Sequence, residues 1–151
     1  MTARQKMKKG SNNPKNPNKN TCGLMVAKAL KVDDTVNYLH TINDIVRAAR
    51  NKYTVRSRSS KFRGKTVGGS RKNFLKEVNR TCEKEGAAVY GYILRVKTPK
   101  AKGSTHTGHA ILVDGYANTC VDTAPRQRDR RKITHAYIVY RKIERGVELM
   151  K

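Results

Sequence analysis

Apolar residues along this chain come in blocks separated by basic, polar stretches. Residues 1–21 contain no Leu, Ile, Val or Phe. Residues 22–49 contain nine, residues 50–73 three and residues 74–97 seven, so packing is concentrated in the second and fourth blocks and beyond. Residues 22–30, Cys-Gly-Leu-Met-Val-Ala-Lys-Ala-Leu, are apolar nearly all round, the pattern of a helix buried in a core. Asp33, Asp34 and Thr35 offer N-cap and first-turn acids for a second helix. In it Val36, Leu39, Ile42, Ile45, Val46 and Ala49 recur at steps of three and four, and it ends on Arg47 and Arg50. Ser70 caps a third helix, with Phe74, Leu75, Val78 and Cys82 on one face and Gly86 as its stop. The period then changes. Tyr90, Tyr92, Leu94 and Val96 alternate with Gly91, Ile93, Arg95 and Lys97. Residues 109–114 are a short apolar run, 115–118 supply turn chemistry, 120–122 return antiparallel, and 136–140 form another strand. Helices first and strands afterwards predict an α+β fold: N-terminal helices packed on a small antiparallel β-sheet.

Residues 1–20, rich in Lys and Asn with Pro14 and Pro17, read as a basic, flexible, extended arm. Residues 21–151 then form a single domain with a basic insert at 50–73. Composition sharpens the picture. The chain has 34 Lys+Arg against 11 Asp+Glu, a net charge of +23. Leu, Ile, Val and Phe number 29 of 151, which borders on the composition of disordered chains. Only the clustering of those residues allows a core. No apolar run approaches the ~18 residues of a membrane span. The basic N-terminus has no apolar stretch behind it, so no secretory signal is expected. Cys22, Cys82 and Cys120 are an odd, widely spaced set, which predicts reduced thiols in a cytoplasm rather than a disulfide framework.

Candidate chemistry starts at Cys22. It opens the first helix, where unpaired N–H groups and the positive dipole end stabilise a thiolate. A cysteine also fills helix interfaces, so the position has a purely structural reading as well. His109 opens an apolar strand after a Gly/Ser/Thr-containing loop, and Asp122 follows thirteen residues later on the returning strand. A base and its orienting acid on adjacent strands suit a Cys–His–Asp triad in the order nucleophile, base, orienter. His106 is a second candidate base. Cys82 and Cys120 suit the core, and His40 and His135 the surface or rim. His106, His109 and Cys120 lack paired Cys-x-x-Cys spacing, so neither a metal nor another cofactor is expected.

Three segments resemble papain-like cysteine peptidases. Asn20-Thr21-Cys22-Gly23, leading into an Ala-rich helix, resembles their nucleophile segment. Gly108-His109-Ala110-Ile111-Leu112-Val113-Asp114-Gly115 resembles their histidine strand, and Cys120-Val121-Asp122-Thr123-Ala124-Pro125 their third-residue strand. The likeness is in particular to small cysteine-peptidase-like proteins of bacteriophage genomes, and it touches residues 20–50 and 88–142. It implies a papain-like core, Cys22 as nucleophile, His109 as general base and acid, and Asp122 as its orienter. It further implies an oxyanion hole from the Cys22 backbone N–H and an upstream amide, where Asn20 is nearest and the family's usual Gln is missing. The implied activity is hydrolysis of a peptide, isopeptide or amide bond in a protein or peptide substrate. The alternative is a non-catalytic, nucleic-acid-binding or virion-associated phage protein on the same scaffold. The setting is then a host cytoplasm or a virion.

The charge adds a partner. Basic residues gather in the arm (Lys8, Lys9, Lys15, Lys19), in the insert (Arg50, Lys52, Arg56, Arg58, Lys61, Arg63, Lys65, Arg71, Lys72) and near the C-terminus (Arg126, Arg128, Arg130, Arg131). Single-sign clusters repel themselves, and a polyanion relieves them. Non-specific, salt-sensitive contacts to nucleic-acid phosphates are expected, with Tyr53 and Phe62 placed to stack on exposed bases. An anionic membrane surface fits less well, because the basic stretches lack an apolar face.

Overall fold

The computed structural model describes residues 22–32, 41–98 and 108–143. Helices and strands follow in the order α1 (Cys22–Ala29), α2 (Ile42–Arg50), β1 (Thr54–Ser57), α3 (Ser59–Phe62), a 3-10 turn (Gly68–Ser70), α4 (Arg71–Glu85), β2 (Ala87–Lys97), β3 (Gly108–Asp114), β4 (Thr119–Val121) and β5 (Ile133–Lys142). The strands make one five-stranded antiparallel sheet of order β1-β5-β2-β3-β4. The fold is therefore α+β. Among the described residues no helix is long and apolar enough to cross a membrane.

Both sheet faces are covered. On one, α1 and α2 place Val26, Leu30, Ile45 and Val46 against Ile93, Leu112, Val121 and Val139. On the other, α3 and α4 place Phe62, Phe74 and Val78 against Tyr92, Leu94, Ile111 and Ile138. Helix α2 begins later than its apolar pattern suggests. Thr41 is its N-cap: its side chain accepts from the Asp44 N–H at 3.2 Å, and the Asp44 carboxylate accepts from the Thr41 N–H at 3.0 Å. This reciprocal box starts the helix at Ile42. Asp33, Asp34, Thr35, Val36 and Leu39 lie outside the described residues. Helix α4 stops at Gly86, whose φ of 56° is the left-handed conformation of a helix C-terminus. Ser70 precedes it without capping it, because its hydroxyl donates to the Thr66 carbonyl instead. Phe74 and Val78 form the deep face of α4, with Leu75 and Cys82 only half-buried.

Residues 50–73 are an integral part of the sheet rather than an insert upon it. Their strand β1 pairs with β5, and Val55, Phe62 and Val67 are buried in the two cores. Phe62 packs on Phe74 and Tyr92, so it is not available to stack on bases. Tyr53 is half-buried, edge-on to Tyr90, with its hydroxyl on the Leu30 carbonyl. The simple alternation along β2 is broken as well. A register shift between Val89 and Gly91 turns Tyr90 to the α1/α2 face, while Tyr92, Leu94 and Val96 stay on the other.

Gly91 makes that bulge possible. It holds φ 153°, and a Cβ there would lie 1.8 Å from the Val113 carbonyl oxygen of β3. Backbone cannot yield as a flexible side chain does, so β3 would have to move. Gly91→Ala is expected to destabilise the domain by about 3 kcal/mol, read as a lowered urea midpoint at unchanged slope.

Candidate active site

Cys22 is the first residue of α1 and packs against the start of β3. Its sulfur faces the His109 side chain and the backbone amides of Ala110 and Gly23. Burial pushes the thiol up, but the His109 hydrogen bond, these amides and the imidazole charge outweigh burial. The net result is a thiol held below its ordinary value.

His109 sits next to the start of β3, opposite Val96 of β2. Its Nε2 donates to Asp122 Oδ1 at 2.7 Å, which leaves Nδ1 as the nitrogen for Cys22. Burial alone would lower its basicity. Hydrogen bonds to Asp122 and Cys22 and their charges win, raising it to about 9. A lowered thiol beside a raised imidazole favours a thiolate–imidazolium pair near neutrality.

Asp122 directly follows β4, whose Val121 pairs with Leu112 of β3. The turn 115–118 sets this return: Asp114 Oδ1 accepts from Tyr116 and Asn118 N–H groups at 2.9 and 3.1 Å. The Asp122 side chain is only 4 % exposed, so its charge needs compensation. Oδ1 also accepts from the Ala124 N–H at 2.9 Å, and Oδ2 from Arg131 Nη2 at 2.5 Å. Burial works against ionisation, but these donors and the Arg131 charge hold the carboxyl below its usual range.

Arg131 is the participant that the sequence misplaces. Expected among the phosphate-binding cations, it is instead 9 % exposed and turned inward. Its Nε and Nη2 fork onto Asp129 at 2.9 and 2.7 Å, Nη2 also reaches Asp122, and Nη1 donates to the Ala124 carbonyl at 3.1 Å. The order is thus Cys22–His109–Asp122–Arg131–Asp129. In an alternating row of this kind every charge has an opposite neighbour, which makes its burial tolerable. An irregular loop has no period, so the run 126–132 gives no sign of which arginine faces in.

Asn20, Lys8, Lys9, Lys15, Lys19, His40 and His106 lie outside the described residues. Arg58 is not a surface contact either: it binds the buried Glu77, which also accepts from Lys61 Nζ at 2.7 Å. Arg56 pairs with Glu85 at 3.2 Å. Arg50, Lys52, Arg63, Lys65, Arg71, Lys72, Arg126, Arg128 and Arg130 are exposed. Cys120 is buried; burial and the nearby Asp114 charge push its thiol up to about 11, so it is no rival nucleophile at neutral pH. His135 is half-buried and stacked on Tyr137.

No family model, curated protein or solved structure matches the chain.

Two outcomes are expected from this geometry. Iodoacetamide should alkylate Cys22 well below the ~8.5 of a free thiol, with the profile returning to ordinary values in His109→Ala, as peptide mass spectrometry would resolve. Arg131→Gln leaves Asp122 and Asp129 buried without their cation, which should lower stability by about 3 kcal/mol. Arg131→Lys should recover only part of this, because an ammonium cannot reproduce the fork; denaturant midpoints measure both.

Proposed function

We propose that the protein is a cysteine hydrolase of papain-like type, cleaving a peptide, isopeptide or amide bond and associated with nucleic acid through its basic surface. The observation that carries the reading is the continuous hydrogen-bonded line Cys22–His109–Asp122, with the thiol lowered and the imidazole raised. The resemblance of residues 20–23, 108–115 and 120–125 to papain-like segments supports it, as does the α+β architecture.

In this reading the Cys22 thiolate adds to the substrate carbonyl carbon. The carbonyl electron pair moves onto oxygen, at the N-terminal end of α1, where helix N–H groups favour negative charge. As the intermediate collapses, the C–N bond breaks and His109 Nδ1 gives its proton to the leaving amine. Water then attacks the thioester, His109 takes a proton from it, and Cys22 departs as the free thiolate with the carboxylic acid released. Asp122 keeps Nε2 protonated and the ring aligned throughout, and Arg131 keeps Asp122 ionised and in place.

The second reading is a non-catalytic, basic nucleic-acid-binding or virion-associated protein on this scaffold. It is favoured by the 9 % exposure of Cys22, which leaves little sulfur surface for a substrate.

Hydrolysis of a panel of fluorogenic peptide amides decides between them. Cys22→Ala should abolish turnover while leaving the thermal midpoint nearly unchanged, and Asp122→Asn should lower turnover by about 100-fold. Turnover by Cys22→Ala equal to wild type sinks the hydrolase reading. The pH profile has a defined shape. Activity should rise as the Cys22 thiolate forms, below the ordinary thiol range, and fall as pH climbs through about 9, where His109 loses the proton that the leaving group needs.

A further inference from the structure

Some cations of the domain have acid partners: Arg58 and Lys61 pair with Glu77, and Arg56 with Glu85. The cations clustered beyond Asp122 and Arg131 do not. There the end of β2 and the loop from β4 to β5 enclose a groove of about 780 Å³. Its cationic lining is Lys97, Arg126, Arg128, Arg130 and Lys132, with Arg131 at its inner side and no acidic residue among the lining side chains. Among the described residues, no carboxylate pairs with any of those five outer cations.

The groove is held rigidly. Its walls are joined by the Lys97 N–H donating to the Lys132 carbonyl at 2.8 Å. The loop is closed on itself by Arg131, which ties Ala124, Asp122 and Asp129 together. It is pinned to the neighbouring turn by the Gly68 and Val67 N–H groups, on the Asp129 and Arg131 carbonyls at 2.9 and 3.1 Å. A Cβ on Gly68 would meet the Asp129 carbonyl at 3.0 Å, so this contact needs a bare backbone. Arg128 takes the left-handed conformation, φ 51°, which a non-glycine residue adopts at a cost.

A fold that spends backbone strain and a buried ion pair to gather unmatched guanidinium groups maintains repulsion that a mobile surface would relax. A dense array of anions offsets it. We infer that this groove is a binding site for the phosphodiester backbone of nucleic acid, in which Arg126, Arg128, Arg130, Lys97 and Lys132 each face phosphate oxygens. Arginine forks suit phosphate geometry. Five cations in one groove match a polymer that carries one negative charge per residue, as a phosphodiester backbone does. The site adds Lys97 and Lys132 to the expected cations and removes Arg131, which is committed to the triad. The inference rests on the proposed association with nucleic acid and is independent of hydrolysis.

The test is fluorescence anisotropy of a labelled oligothymidylate titrated with three full-length proteins. These are wild type, the groove variant Arg126→Gln/Arg128→Gln/Arg130→Gln, and a charge-matched control on other exposed cations, Lys28→Gln/Lys76→Gln/Lys84→Gln. The groove variant should bind at least about tenfold more weakly than the control. Its log–log salt slope should shrink by about two, at ~0.7 for each single-strand phosphate that is no longer neutralised. Its thermal midpoint without nucleic acid should equal or exceed that of wild type, because repulsion is relieved. Equal weakening in groove variant and control overturns the site in favour of diffuse attraction. A lowered midpoint also overturns it, since the cations then have internal partners. Polyglutamate competing as well as unlabelled oligothymidylate overturns the choice of nucleic acid. If wild type fails to bind at all, the association itself fails, while Cys22 reactivity still reports separately on the hydrolase reading.

Discussion

A buried carboxylate must be compensated from every direction it faces, and Asp122 is the group on which this site turns. It lies between two cations, the imidazolium of His109 on one oxygen and the guanidinium of Arg131 on the other. With only His109, its second oxygen would be desolvated without a partner; with only Arg131, the imidazole would lose the acceptor that orients it. Asp129 then balances the second cation. The row is longer than a triad because burial obliges each charge to find an opposite neighbour, and its last member, Asp129, is itself buried. The sheet supplies the alignment. Antiparallel pairing of β3 with β4 brings positions thirteen apart in sequence within hydrogen-bond reach, and α1 packs its first turn against the same strand.

The coverage of both sheet faces explains how so basic a chain holds a core. Each helix layer buries a modest apolar set, and neither would suffice alone at this composition. The sheet serves both layers at once, so its interior strand β3 reads as a near-continuous apolar run over 109–114. The basic residues are pushed to helix outer faces, the sheet edge at β1, and the loops.

The triad side chains were legible because each stands at an element boundary. Cys22 opens an apolar block, His109 follows a polar loop, and Asp122 ends a short strand after turn residues. Type and position alone single them out, and the structure brings the three together. Strand β1 and helix α3 were not legible: Val55 and Phe62 are isolated apolar residues in a run of cations, with no period to betray a strand or helix. The late start of α2 had a signal in Thr41 and Asp44, a capping pair that the longer apolar periodicity obscured. Gly91 inside an alternating strand was likewise the sign of a bulge. Arg131 had no such mark, because inward orientation in an irregular loop depends on tertiary packing alone.

The charge imbalance has a consequence for how this sequence can vary. With about three cations for every carboxylate, most single losses of Lys or Arg leave another cation nearby and relax the surface. Acids have no such reserve. Glu77 neutralises Arg58 and Lys61, and Asp122 and Asp129 share Arg131, so each acid serves contacts that a distant carboxylate cannot take over. Drift in the family of sequences compatible with this fold should therefore be lopsided: permissive at the abundant residues and strict at the scarce ones.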